Sequence, residues 1–567
     1  MRRLRRHLLF VGATAGIAAL EALLVVTVGP AEAVPLAPQV SAPAPYGVFH
    51  DLRWLLVYHP SWLVLLGGAI ALVGARAALD TALVRAAWPA ERPRPAVRAQ
   101  LAHALRFTAI TGIALLLFAI LSFAMAVTSL SWLFFVSVPV LVMVALLVHH
   151  GEVLPSWWRV TPTRASVVAI LCVFGVLTIG GALLSAVPHE LAPLVAAIVA
   201  VGVAACRLRS VESLAARRAS VTPPAGSSTG RRPYAVVGLV AVLVLVLGGT
   251  AIGFAVSVAI ESARTPPPRV AADAAGTPVL VVKGFNSRWD GVTYRWVRGD
   301  HRIRRFSYRG LDAEGHPLVY ERSDTHRGIV GLAREMGHQV DALHERTGEQ
   351  VGIVAESEGA LVAQVYLAAT PRAPVDALVL LSPLGEPGRV FYPPPGREGW
   401  GVGAGAIMRG LAAVIGALGP VDVSADAPLF RSITDLGPTA GALLSCPPPH
   451  VRSYAVLPVD EGVSAPAPLD IGYDHRVEPA FHGGLLGNDA TARAIAAVLD
   501  GRRPPSGSGW WAAVGDLVNA GASPWQAPSL EPSLEPVWRG LPDGDDCRTV
   551  RAELRRRVRA PRRTSSG

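Results

Sequence analysis

The chain has 567 residues, 51% of them hydrophobic and 17% charged, with a mean hydropathy of +0.40. It is too long for one ordinary domain and too apolar for a soluble protein, which points to several membrane spans. The net charge of +10 is almost wholly arginine, Lys283 being the sole lysine; it falls mostly in loops between apolar runs and so reads as membrane topology, and with no soluble basic face carrying interleaved aromatics a nucleic-acid partner is excluded.

Met1 to His7 carries four arginines, and an apolar run over 8–28 precedes Ala31-Glu32-Ala33. A secretory leader with an A-x-A cleavage site has this order, but the length of the run favours a retained span. Further apolar runs cover 62–83, 107–127, 130–148, 165–187, 191–206 and 234–260, which makes seven candidate spans in a membrane region over 1–262; the sixth is the shortest. Arginines test the count. Arg76 lies toward the end of run two and Arg85, Arg92, Arg94, Arg98 and Arg106 between runs two and three, Arg159 and Arg164 between four and five, and Arg207, Arg209, Arg217, Arg218, Arg231 and Arg232 between six and seven. The alternate loops are poor in arginine, with only Arg53 in 31–61. This alternation predicts a multi-pass protein of the cell membrane with a cytoplasmic N-terminus, and an odd number of spans places the C-terminal half outside the cytoplasm. Glu21 is the one clear carboxylate at depth and reads as an interhelical hydrogen bond or a snorkelling side chain rather than a relay. No pair of spans carries the charge constellation of an ion-coupled transporter.

Residues 221–232 form a Pro/Gly/Ser/Thr linker that contains Gly226-Ser227-Ser228-Thr229-Gly230, a literal G-x-S-x-G. No strand precedes Ser228 and no helix follows directly, so its context is that of a flexible loop. A Pro/Ala linker spans 263–276. After it the pattern becomes that of an α/β domain. Strands are expected at 277–283, 303–308, 376–381, 451–457 and 475–481, with helices at 325–346 and 490–499. Between them lies the most informative stretch. Val351-Gly352-Ile353-Val354-Ala355 is a short apolar strand, Glu356-Ser357-Glu358-Gly359 a sharp turn, and Ala360 to Leu367 a helical run. Small residues two before and two after Ser357 let such a turn close. Alternating strands and helices imply a mostly parallel, doubly wound sheet, whose ligands sit at the carboxyl ends of the strands. The tail over 504–567 holds Trp510, Trp511, Trp525 and Trp538 and then eight arginines from Arg548 to Arg563; its last ten or so residues read as a disordered basic end.

Residues 277–503, about 40% of the chain, resemble the α/β-hydrolase superfamily of serine esterases and lipases. The resemblance rests on the strand ending at Gly284-Phe285-Asn286, the turn at Ser357, the acidic turn Asp460-Glu461-Gly462-Val463, and Phe481-His482-Gly483-Gly484, in the order serine, acid, histidine. Ala355 stands where the commonest version has glycine. The resemblance implies Ser357 as nucleophile, His482 as base, and either Asp460 or Glu461 as the acid that orients the histidine, with Asp470 and Asp474 as outsiders. It also implies an oxyanion hole made by the N–H of Glu358 and that of Phe285, with Asn286 next in line. Residues 383–450, including the apolar run 403–418, would be a cap, which suggests a greasy acyl substrate. The expected fold is thus an α-helical transmembrane bundle of about seven spans joined to a C-terminal α/β-hydrolase domain with a cap insert. The expected function is extracytoplasmic hydrolysis of an ester, thioester or related acyl compound, with no cofactor and no metal. Acyl transfer by the same residues is an alternative, and so is a transporter or sensor whose sheet domain only binds ligand. No CxxC pair or Cys/His cluster suggests zinc. Cys172 and Cys206 lie in spans and read as small apolar fillers. Cys446 and Cys547 fall in the region assigned outside, where disulfides persist, and are predicted to pair.

Overall fold

The computed structural model describes residues 2–29, 31–57, 61–128, 164–220, 269–270, 276–295, 299–384, 402–418, 422, 424, 426–458, 471–480, 482–504, 509–525 and 546–560. The N-terminal half is helical: α1 (Arg2–Val28), α2 (Tyr46–Val57), α3 (Trp62–Ala86), α4 (Val97–Thr128), α5 (Arg164–Ala186) and α6 (Ala192–Ser220). Among the described residues four helical stretches are long and apolar enough to cross a membrane: Phe10–Val28, Trp62–Ala86, Val168–Ala186 and Ala192–Arg209. The expected run 107–127 falls inside α4, whereas 130–148, 234–260 and Ser228 lie outside the described residues. The seam between α1 and α6 is lined by small side chains: Ala18 and Ala22 meet Ala192, Ala196, Ala200 and Ala204. Alanine at every fourth position lets two helices approach closely, which replaces the hydrophobic drive that lipid does not supply.

The stretch from Ala31 to Val57 is not the plain connecting loop that its place between two spans suggests. It forms a 3-10 turn at Ala31–Gln39 and then α2, and both pack into the bundle. Buried ion pairs hold them there. Arg76 Nε donates to Asp51 Oδ2 at 2.6 Å and Arg76 Nη2 to the Val40 carbonyl at 2.9 Å. Arg207 Nη2 reaches Asp80 Oδ1 at 2.9 Å, and its Nη1 donates to the Ser41 carbonyl. Ser41 Oγ in turn donates to Glu21, which is thereby bonded to the folded-back segment rather than to another span. Charges at such depth are costly unless paired, and these are paired.

The C-terminal half is built on a six-stranded, wholly parallel sheet in the order β4-β2-β5-β6-β7-β8. The strands are β2 (Thr277–Val282), β4 (His301–Arg305), β5 (Val351–Glu356), β6 (Val375–Leu381), β7 (Arg452–Pro458) and β8 (Asp474–Glu478); β1 (Arg269–Val270) and β3 (Tyr294–Arg295) form a separate antiparallel pair. A parallel sheet is covered on both faces, so its central strands read as continuous apolar runs, and every residue of β5 is buried. One face is covered by α7 (Ile329–Thr347) and α8 (Glu358–Ala369). An insert helix α9 (Val402–Leu418) and α10 (Pro428–Leu436) follow β6. Helix α11 (Asp489–Leu499) covers the other face. Two more helices, α12 (Gly509–Ala522) and α13 (Cys547–Arg559), lie in the stretch read from sequence as a tail.

All of α8 is buried, which requires neighbours on every side. It packs against α7 and also against α13, whose Val550 and Leu554 are fully enclosed in the main core. The core therefore runs past the expected boundary at Arg503. A disulfide joins Cys446 to Cys547 and fixes the start of α13 beside the segment that leads into β7. Cys172 and Cys206 carry no disulfide. The helix expected from Thr325 starts at Ile329, because Arg322–Thr325 is a 3-10 turn and Gly328 is the residue before the first helical turn.

Candidate active site

Ser357 stands between the last residue of β5 and the first of α8, at φ 57° and ψ −122°. This lies outside the small left-handed well and costs a non-glycine residue roughly 1–3 kcal/mol, a strain maintained only where the surroundings over-determine it. Two glycines permit the approach that does so. A Cβ on Gly359 would lie 2.8 Å from Val282 Cγ1 and 2.9 Å from the Lys283 carbonyl oxygen, and one on Gly284 would lie 2.6 Å from Ser357 Cβ. The ends of β2 and β5 thus press together at the serine. Lys283 Nζ donates to Glu356 Oε2 at 2.6 Å across the same two strand ends.

His482 follows β8, and its Nε2 is 2.7 Å from Ser357 Oγ. The two residues are 125 positions apart and meet because β5 and β8 are parallel and end at the same edge of the sheet. The Gly483 N–H points at Ser382 Oγ, 3.5 Å away, and Ser382 itself has φ 46° at the end of β6. Asp460, Glu461 and Asp470 lie outside the described residues. Asp474 opens β8 at the amino edge, the far end of the strand from His482, and is exposed.

The Glu358 N–H heads α8, where a helix offers it no acceptor of its own. On the other side, Gly284 passes directly over Ser357 and brings the Phe285 backbone next to it. The Asn286 N–H is spent elsewhere: it donates to Thr325 Oγ1 at 2.8 Å, which removes Asn286 from the expected oxyanion donors. Thr325 was not among the sequence candidates. It ties the Gly284-Phe285-Asn286 turn to the 3-10 turn before α7, and Tyr308 supports the same turn by donating from its hydroxyl to the Lys283 carbonyl at 2.5 Å. Neither residue stands out in the sequence, since both act through contacts made only in the fold.

The glutamates beside Ser357 differ. Glu356 is paired with Lys283. The Glu358 side chain is buried, with no hydrogen-bond partner for either oxygen among the described residues. Burial pushes its carboxyl well above the ordinary glutamate range. The Tyr308 hydroxyl is also pushed up, first by burial and then by Glu358 nearby. Phe285 stacks on His326 with ring centres 4.7 Å apart and meets Phe430 of α10 edge-on at 5.8 Å. Burial lowers the affinity of His326 for a proton, and Asp422 nearby opposes this. Among the described residues no group of three His, Cys, Asp or Glu side chains converges as metal ligands.

A strained serine, a histidine within hydrogen-bond reach and two backbone N–H groups at its flanks form an arrangement that can take a proton from Ser357 as it attacks a carbonyl. Comparison with protein-family models, with curated proteins and with solved structures gives no match for the chain.

Proposed function

We propose that the chain is a membrane-anchored serine hydrolase of the α/β-hydrolase type, acting on an ester, thioester or related acyl compound. The observation that carries this reading is the 2.7 Å approach of His482 Nε2 to Ser357 Oγ, made by a serine held in a backbone conformation that only a built site maintains. Ser357 Oγ bonds to the acyl carbon while its proton passes to His482 Nε2, and the carbonyl electron pair moves onto oxygen, facing the N–H groups of Glu358 and Phe285. Collapse breaks the bond to the leaving alcohol or thiol, which takes the proton from His482. Water then attacks the acyl-serine and gives its proton to His482; the acid departs and the proton returns to Ser357 Oγ. Asp460 or Glu461, after β7, is assigned to orient the imidazole. An alcohol in place of water would turn the same steps into acyl transfer. Residues 383–450 serve as the cap in this reading.

The alternation of arginines supports seven spans, a cytoplasmic N-terminus and a sheet domain outside the cytoplasm. The Cys446–Cys547 disulfide supports the same placement, because such bonds persist in oxidising compartments. A small fluorophosphonate probe tests the chemistry on full-length protein: wild type is labelled and Ser357→Ala is not, and its turnover of an activated ester falls by at least about 10⁴-fold. An intact, correctly inserted protein that resists the probe would refute the reading.

A further inference from the structure

Of the 52 lysines and arginines in the chain, Lys283 alone is lysine. It stands directly before Gly284, the glycine that passes over Ser357. Its partner Glu356 stands directly before Ser357 itself. Lys283 Nζ and Glu356 Oε2 are 2.6 Å apart, so one ion pair joins the residue that leads into the Gly284-Phe285 turn to the residue that leads into the serine. The register of the β2–β5 ladder ends at Val282↔Ala355, one residue short of both. From there the two chains part to different anchors. The Ser357 N–H donates to the Leu381 carbonyl on β6 at 2.9 Å, while the turn after β2 is held by Tyr308 and Thr325. The Lys283–Glu356 pair runs directly between the two.

Side-chain exposure is 24% for Lys283 and 5% for Glu356. Glu356 Oε1 is buried with no hydrogen-bond partner among the described residues. An ion pair placed like this is a poor source of stability. Taking the carboxylate out of water costs about as much as the attraction returns, and apolar side chains of similar volume are often as stable in its place or more so. What the pair does supply is a fixed distance. An ammonium is a compact charge that meets one oxygen, whereas a guanidinium fork spans two and would set the strand ends at another spacing. In a chain that uses arginine at every other basic position, lysine here answers a demand for spacing rather than for charge. Spacing is what an oxyanion donor needs, because its N–H must lie within about 3 Å of the oxygen that becomes charged.

We propose that Lys283 is a positioning residue for the reaction at Ser357: its bond to Glu356 sets the gap between the Phe285 N–H and Ser357 Oγ, and with it the reach of the oxyanion donor. This rests on the assignment of Ser357 as nucleophile. The test uses full-length protein in detergent and a soluble activated ester. Lys283→Met/Glu356→Leu removes both charges and keeps the volume. The expected result is a thermal midpoint no lower than that of wild type, KM within about twofold, and kcat lower by about 10²-fold, the scale of losing one oxyanion donor. Arg452→Ala breaks another ion pair between neighbouring strands, 2.7 Å to Asp376 at the amino edge of β7 and β6, and leaves kcat unchanged. A double variant with wild-type kcat, or one whose kcat falls only in step with its thermal midpoint, overturns the positioning role, and so does an equal loss of kcat in Arg452→Ala. If wild type turns over the ester no faster than Ser357→Ala, the hydrolase reading itself falls.

Discussion

Three of the four non-glycine residues with positive φ among the described residues surround the site: Asn286, Ser357 and Ser382. Each ends or follows a strand of the sheet, and each turns the chain where β2, β5 and β6 stop. Gly284 shows how little slack this leaves. Gly284→Ala forces a methyl group to within 2.6 Å of Ser357 Cβ, with Ser357 Oγ at 3.1 Å, so the turn must move away from the serine. The expected outcome is a loss of turnover of about 10²-fold, the scale of removing one oxyanion donor, with the protein still folded by circular dichroism. Glu358 gives a different test. Its carboxyl binds a proton more tightly in the folded protein than in the unfolded chain, so between the ordinary glutamate value of 4.5 and the raised folded value the native state holds a proton that the unfolded state has lost. Stability from this group is complete below about pH 4.5 and declines as pH rises through that window. Glu358→Gln keeps the neutral shape and removes the titration. The difference in thermal midpoint between variant and wild type, measured in detergent from pH 4.5 to 8, should grow with pH in favour of the variant; a difference that stays flat would show that Glu358 finds a partner for its charge.

At the level of elements, the sharp turn at Ser357 was legible because a strand-to-helix junction of this kind has a local pattern: apolar strand, small residues at both flanks, apolar helix. The better literal match, at Ser228, lacked the strand. His482 was legible from order along the chain, since a residue just after the last strand of a parallel sheet ends at the same edge as the others. Thr325 and Tyr308 were not, because their roles are set by the turn at Gly284 coming to them. The C-terminal stretch carries a helical signal of its own. Val550, Leu554 and Val558 recur every fourth residue in an arginine-rich run, which marks one apolar stripe on α13. That stripe closes the core over α8 and the disulfide anchors it. The bond encloses a loop with a sequence separation of 101, for which chain entropy gives about 4–5 kcal/mol. Cys446→Ser should lower the thermal midpoint, and reductant should lower that of wild type to the same value while leaving the variant unmoved. A variant as stable as oxidised wild type would show that packing alone retains α13.

For the whole molecule, the sheet and its parallel order followed from alternating apolar runs, whereas the way the two halves meet did not. Arg53 is the sole arginine of a stretch that the sequence places between two spans; it is fully buried, with Gln39 on one side and the Pro524 carbonyl on the other. No periodicity signals a contact between residues 471 positions apart. That contact has a consequence for biogenesis. The first helices enter the membrane while most of the chain is still unmade, and Arg53 and Gln39 must then wait for the Pro524 carbonyl until synthesis has passed the entire sheet domain. The socket for Trp525, between α2 and α5, waits as long. The earliest part of the chain to be inserted is therefore among the last to be finished. Assembly of the bundle therefore depends on synthesis of the sheet domain, because its polar centre closes only around the Pro524 carbonyl that follows that domain.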